Sequence, residues 1–201
     1  MKILVTGGCG YKGSVLIPKL LGLGYKILSI DTQWFGNYLP KHKNLTNIKL
    51  NVNNINEINL KGISVIIHLA SIANDPMADL DENLSWETSA LGTYKLVETA
   101  LKYNVKKIIY ASSGSVYGIK KEKKVHEGLG LDPITDYNKS KMICEKVIQS
   151  YSDKIKYTII RPATVCGFSD RLRLDVVLNL FCYQAYYKKK YQLLEDHKLG
   201  P

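Results

Sequence analysis

Short apolar runs recur along the chain with room for a helix between most of them: KILVT (2–6), KILSID (26–31), NIKLNV (47–52), VIIHLA (65–70), KIIYAS (107–112) and YTIIRP (157–162). They are rich in Ile and Val and nearly continuous rather than alternating, the pattern of parallel strands covered on both faces. Helical patterning covers about 12–23, 82–103 and 136–151. Strand, helix, strand in repetition predicts an α/β fold with a doubly wound parallel sheet. The Asn-rich stretch 44–59 keeps Ile and Leu at intervals and reads as ordered loop and strand. No internal repeat and no clear linker divides the chain.

Composition narrows the class. The 201 residues, 45% hydrophobic and 23% charged, have ordinary globular usage and suffice for a sizeable core. No apolar run approaches the roughly 20 residues that span a bilayer, so no membrane is expected. The start, MKILVTGG, is a strand running into glycines and lacks the apolar core and cleavage site of a signal peptide. Cys9, Cys144, Cys166 and Cys182 are scattered without C-x-x-C spacing. They read as reduced thiols of a cytoplasmic protein, with no disulfide framework and no metal site. A formal charge of +10 raises nucleic acid as a partner. The lysines, however, cluster in KKEKK (120–124) and KKK (188–190) without interleaved aromatics. They read as solvated basic loops, and no nucleic acid is expected.

The chemistry begins at VTGGCGYKGS, which follows the first strand and opens the first helix. Gly7, Gly10 and Gly13 have the spacing G-x-x-G-x-x-G. The first permits a tight turn, the second lets a pyrophosphate approach the backbone, and the third lets the helix pack closely. The N–H groups at the start of the helix then face the anion. Asp31 ends the second strand, where a carboxylate accepts both ribose hydroxyls and repels a 2′-phosphate. The combination predicts a Rossmann-like domain that binds NAD rather than NADP.

Taken with VIIHLA, IIYASSGSVYG, YNKSK and RPATVCG, in that order, this loop resembles the extended short-chain dehydrogenase/reductase family, and within it the nucleotide-sugar epimerases and dehydratases. The resemblance covers about residues 1–187 and implies one NAD-binding domain over that range. It implies that Tyr11, Lys12, Asn51, Val52, Leu69 and Ala70 also lie along the cofactor. It implies further that Tyr137 and Lys141 are a catalytic Tyr-x-x-x-Lys pair contacting both substrate and cofactor, with Ser113 as the catalytic hydroxyl. Ser113 is preferred over Ser112 and Ser115 because it lies three residues before Val116-Tyr117-Gly118. Ser115 and Thr164 are the expected substrate contacts.

On a helix, Lys141 stands one turn beyond Tyr137 on the same face. A free tyrosine titrates near pH 10, and base strength at neutral pH needs a value roughly 3 units lower, or about 4 kcal/mol of phenolate stabilisation. An ammonium together with an oxidised nicotinamide in a water-poor cleft supplies stabilisation of that kind. The implied reaction has Tyr137 taking a proton from a sugar hydroxyl while hydride leaves the same carbon for NAD, with Ser113 bonding that oxygen.

Dehydratases of the family carry an acidic pair after the Ser/Thr. Gly114 and Ser115 stand there, so epimerisation through a transient keto sugar fits best. A reductase or dehydrogenase of the same family remains open, as does a non-catalytic NAD-binding fragment. Four residues depart from the family pattern: Lys12 replaces an apolar residue, Ser89 an Asn, Asn51 an Asp, and Thr164 an Asn of some epimerases. His68 reads as a strand residue beside the cleft rather than a metal ligand, and Trp34 and Phe35 as a packed loop near the adenine.

Family members often pair as homodimers through helices equivalent to 82–103 and 136–151, and most of their substrate lobe lies C-terminal to the part matched here. That lobe is largely missing from this chain. The tail 188–201 departs from the glycine-rich G-G-x-Q-x-R-P strand of relatives, yet one back-translation of YQLLEDHKLGP encodes such a strand in another reading frame. The expectation is an aberrant tail produced by a frameshift, a sequencing error or a truncation.

Overall fold

The computed structural model describes residues 1–72 and 81–188. Its centre is a six-stranded parallel sheet: β1 (Lys2–Thr6), β2 (Lys26–Asp31), β3 (Leu45–Lys49), β4 (Ile63–His68), β5 (Lys107–Ala111) and β6 (Lys156–Ile160). The spatial order is β3-β2-β1-β4-β5-β6. The order reverses between β1 and β4, and in sheets of this type ligands bind in the crevice at that point, beyond the strand C-termini.

Strand ends shift by about two residues from the pattern-based bounds, for reasons of pairing. β3 runs beside β2 only until Lys49 meets Asp31. Asn51 then accepts from Asn53 N and starts a 3-10 turn, Val52–Glu57. β4 ends where His68 pairs with Thr6. Leu69 and Ala70 leave the ladder there, Leu69 N still donating to Thr6 O at 3.0 Å.

Helix α1 (Gly13–Gly22) covers one face of the sheet, with Ile17 and Leu21 against Ile3, Val5 and Ile27. The other face buries Leu4, Ile66 and Ile108 under helix α2 (82–102) and helix α3 (Asp136–Gln149). Asp81 caps α2, its carboxylate accepting from Leu84 N at 2.9 Å. The helix is interrupted by a π-helical turn, Glu87–Leu91. Thr135 caps α3, which starts with Asp136 where the helix dipole favours an anion.

Two expectations change. β6 is not covered on both faces: Ile160 is 50% exposed and Tyr157 37%, because no described element lies outside it. A helix not expected from the periodicity, α4 (Val177–Lys188), follows the RPATVCG segment. Its apolar residues are spread around the axis, so no single face announced it. Among the described residues no helix is long and apolar enough to cross a membrane. The expected aberrant tail falls, beyond Lys188, outside the described residues.

Candidate active site

The glycine loop turns at the sheet's switch point. Gly7 has φ +71°, and a Cβ there would meet Ala70 N at 2.7 Å, so both the conformation and the approach of β4 require glycine. Gly7 N donates to Ile30 O at 2.8 Å, which pins the loop to β2. A Cβ on Gly13 would strike Gly8 O at 2.4 Å and Gly7 O at 2.6 Å. Gly13 is therefore buried behind the loop, where it lets the helix pack closely, and Gly7 and Gly10 rather than Gly13 line the cavity. A Cβ on Gly10 would meet nothing closer than Gly7 O at 3.3 Å. The second glycine thus keeps an open face toward the cavity.

That cavity, about 460 Å³, extends from the glycine loop between Asp31 and Val52 to Ala70, Tyr137 and Lys141. Asp31 is oriented by two backbone donors, Cys9 N to Oδ2 at 3.0 Å and Gln33 N to Oδ1 at 2.6 Å. Tyr11, Lys12, Asn51 and Leu69 complete the expected set on its wall. Trp34 and Phe35 lie there too, but half-exposed rather than packed. An elongated apolar-walled volume with a fixed carboxylate at one end and open glycine backbone at its middle suits a dinucleotide, whose adenosine ribose the carboxylate would hold.

An adjoining open cleft of about 1020 Å³ contains Ser113, Ser115, Tyr137 and Thr164. Ser113 and Ser115 hydroxyls lie 2.7 Å apart, and Ser115 donates on to Asn138 Oδ1. Ser112 turns the other way and donates to the buried Glu145 at 2.5 Å. Glu145 is held by Arg161 through Nε at 2.9 Å and Nη2 at 2.7 Å, and Arg161 Nη1 donates to Tyr117 OH at 2.8 Å. This buried pair ties α3 to β6 and fixes the backbone beside Ser113. The Glu145 bonds raise the Arg161 pKa above its ordinary value.

Lys141 is 3% exposed, with no carboxylate within ion-pair distance among the described residues. Its Nζ donates to Ala111 O at 3.0 Å and lies 5.2 Å from the Tyr110 ring centroid and 5.8 Å from that of Tyr137. Burial lowers its pKa to about 8; Lys12 adds to the fall, while Cys144 and Glu145 oppose it. Lys141 is therefore charged at neutral pH.

His68 is buried between strand and helix, as its position in β4 suggested. Thr93 donates to Ser89 O at 2.6 Å, so it accepts from His68 Nε2 at 3.0 Å. Ala70 N donates to Thr6 Oγ1 at 3.2 Å, and Thr6 donates to His68 Nδ1 at 2.6 Å. Every atom of this relay is satisfied by a neutral ring, and burial lowers the His68 pKa to about 3.

Sequence reading missed several residues. Gly8 is needed because a Cβ would meet Ser29 Oγ at 2.1 Å. Thr88, on the π turn, places on the cavity wall a buried hydroxyl with no partner among the described residues. π turns often mark functional sites, but no sequence pattern signals one. Segment 167–175 folds back over the glycine loop: Tyr11 OH donates to Gly167 O at 2.6 Å, Ser14 and Ser169 hydroxyls lie 2.8 Å apart, and the Arg171 guanidinium sits 4.0 Å from the Phe35 ring centroid. His126 and Glu127 reach the cleft from the loop before α3.

A profile of the NAD dependent epimerase/dehydratase family matches residues 3–198. The chain belongs to that family. Among relatives, a protein of Methanocaldococcus jannaschii provisionally named a UDP-glucose 4-epimerase is 34% identical over 82% of the chain and 56% of its own length. A UDP-glucose 4-epimerase of Lactobacillus helveticus is 30% identical over 84% of the chain and 53% of its own length. The chain thus spans about half the length of the curated epimerase/dehydratase relatives it matches. Among solved structures, UDP-N-acetylglucosamine 4-epimerase from Methanobrevibacter ruminantium superposes with TM-score 0.72 at 27% identity, over 80% of this chain and 54% of that one. The NAD complex of Thermus thermophilus UDP-glucose 4-epimerase gives TM-score 0.80 at 24% identity, over 92% and 61%, and shares the fold.

Proposed function

We propose that this chain carries the NAD-binding and proton-transfer half of a nucleotide-sugar epimerase, with a UDP-activated sugar as substrate class. One observation carries the reading: Tyr137 stands in the wall common to the elongated cavity and the open cleft, with Lys141 one turn behind it. A group there reaches a ligand on either side. Tyr137 accepts the proton of a sugar hydroxyl in the cleft, and its Oη is the atom that holds it. Ser113, on the same cleft, bonds the sugar oxygen as that proton leaves. The buried Lys141 charge favours the phenolate, and its ammonium holds the cofactor ribose. NAD, when bound in the cavity, supplies the hydride acceptor and returns the hydride. The UDP preference rests on relatives named for UDP-sugar epimerisation.

The test is incubation of the protein with NAD and UDP-glucose or UDP-N-acetylglucosamine. The expected product is the 4-epimer without net NADH. Tyr137→Phe abolishes turnover and leaves the NAD Kd within about twofold, since the phenol ring stays in place. Stoichiometric NADH accumulation points to a dehydrogenase, a dehydrated product to a dehydratase, and NAD binding without turnover in the full-length protein to a cofactor-binding module.

A further inference from the structure

Five residues, Tyr11, Lys12, Tyr137, Arg173 and Asp175, belong to both the cavity and the cleft and form the partition between them. Most of their polar groups are already engaged. The Tyr11 hydroxyl donates to Gly167 O and accepts from Asn179 Nδ2 at 3.1 Å. Arg173 donates through Nε to Asp175 at 3.0 Å and pairs with it again through Nη2. Lys12 differs. Among the described residues no carboxylate lies within ion-pair distance of it, and the charges that act on it and through it belong to cations, Arg173 and Lys141. It is open to the surrounding space, yet enough protein encloses its ammonium that burial, and then the Arg173 charge, lower its pKa.

A lysine at a partition, facing other cations and without a carboxylate, is a poor arrangement unless anions arrive. Two arrive on the proposed function, on which this inference rests: the cofactor diphosphate on one side and the substrate diphosphate on the other. We infer that Lys12 is a substrate-recognition residue as well as a cofactor contact, its ammonium reaching a diphosphate oxygen of the nucleotide sugar in the cleft. A four-carbon stem allows one ammonium to address both volumes. A contact confined to the cofactor would place Lys12 on the cavity wall alone, and a solvated lysine would place it on neither.

The measurement is calorimetric titration of the NAD-loaded protein with UDP and with uridine, for wild type, Lys12→Met and Lys12→Arg. Loss of one charged hydrogen bond predicts a UDP Kd at least about tenfold weaker in Lys12→Met. Uridine binding stays unchanged, and Lys12→Arg recovers most of the loss. NAD titrations of the same variants establish loading. A UDP-to-uridine affinity ratio equal in wild type and Lys12→Met overturns the inference, whether or not NAD binding has weakened. Absence of UDP binding by the wild-type full-length protein removes the nucleotide-sugar reading itself, and the inference with it.

Discussion

The Lys141 ammonium lies 5.2 Å from the centre of the Tyr110 ring, and the Tyr110 hydroxyl beyond it is buried beside the Cys144 thiol, with no hydrogen-bond partner of ordinary geometry among the described residues. The ring faces a desolvated cation, while its hydroxyl contributes nothing to satisfy itself. Tyr110→Phe keeps the ring and removes an orphan polar atom, so it leaves stability unchanged or raises it by up to about 1 kcal/mol. Tyr110→Leu loses the cation–π contact and ring volume, and lowers stability by about 2 kcal/mol. Urea midpoints with unchanged m-values separate the two.

A Lys141 pKa near 8 sets an alkaline limit. The ammonium is charged below that pH and neutral above it. NAD affinity and turnover therefore fall as pH rises through about 8. In Lys141→Met both are low at every pH and the alkaline limb disappears.

His68 acts in the opposite direction, on stability toward acid. Its native pKa is about 3, against about 6.5 in an unfolded chain. Between those values the unfolded state binds a proton that the native state refuses, so stability is fully present above about pH 6.5 and falls as pH drops toward 3. One proton corresponds to about 1.4 kcal/mol per pH unit. His68→Gln removes one proton's worth of slope from stability measured between pH 6 and 4.

Arg161→Met leaves the Glu145 carboxylate buried at 0% exposure with Ser112 its one remaining donor among the described residues. Breaking such a pair costs about 3–5 kcal/mol, whereas replacing both partners with apolar residues is nearly neutral. The Arg161→Met/Glu145→Met double variant should thus melt above the Arg161→Met single in a thermal scan, and a lower melting point for the double would contradict the pairing.

Substitutions at Gly10 and Gly13 test the open face of the loop and its packing separately. Gly10→Ala meets only Gly7 O at 3.3 Å and folds, but puts a methyl group on the open face of the loop. Its NAD Kd rises about tenfold or more, with the melting temperature little changed. Gly13→Ala clashes with the carbonyls of Gly7 and Gly8 and lowers both stability and affinity.

What could be read in the chain were features set by near neighbours. Six apolar runs rich in Ile and Val located all six strands, because branched side chains favour extended backbone even in β3 and β6, whose faces are only partly covered. The glycine loop and Asp31 belong to one β-α-β unit, and Tyr137 and Lys141 to one helical turn, so their juxtaposition follows from helix and turn geometry alone. The tertiary structure decided the relationships that join distant segments. Gly167 and Ser169 fold onto Tyr11 and Ser14, more than 150 residues earlier. Tyr110 meets Lys141, and Arg161 selects Glu145, across separate elements. Lys12 borders both the cavity and the cleft alongside Arg173 and Asp175, which lie about 160 residues further along the chain. No local periodicity encodes such contacts, since they depend on how layers pack rather than on which residues alternate. The helix at 177–188 escaped for the same reason, its apolar residues being spread around the axis with no core-facing stripe to set a period.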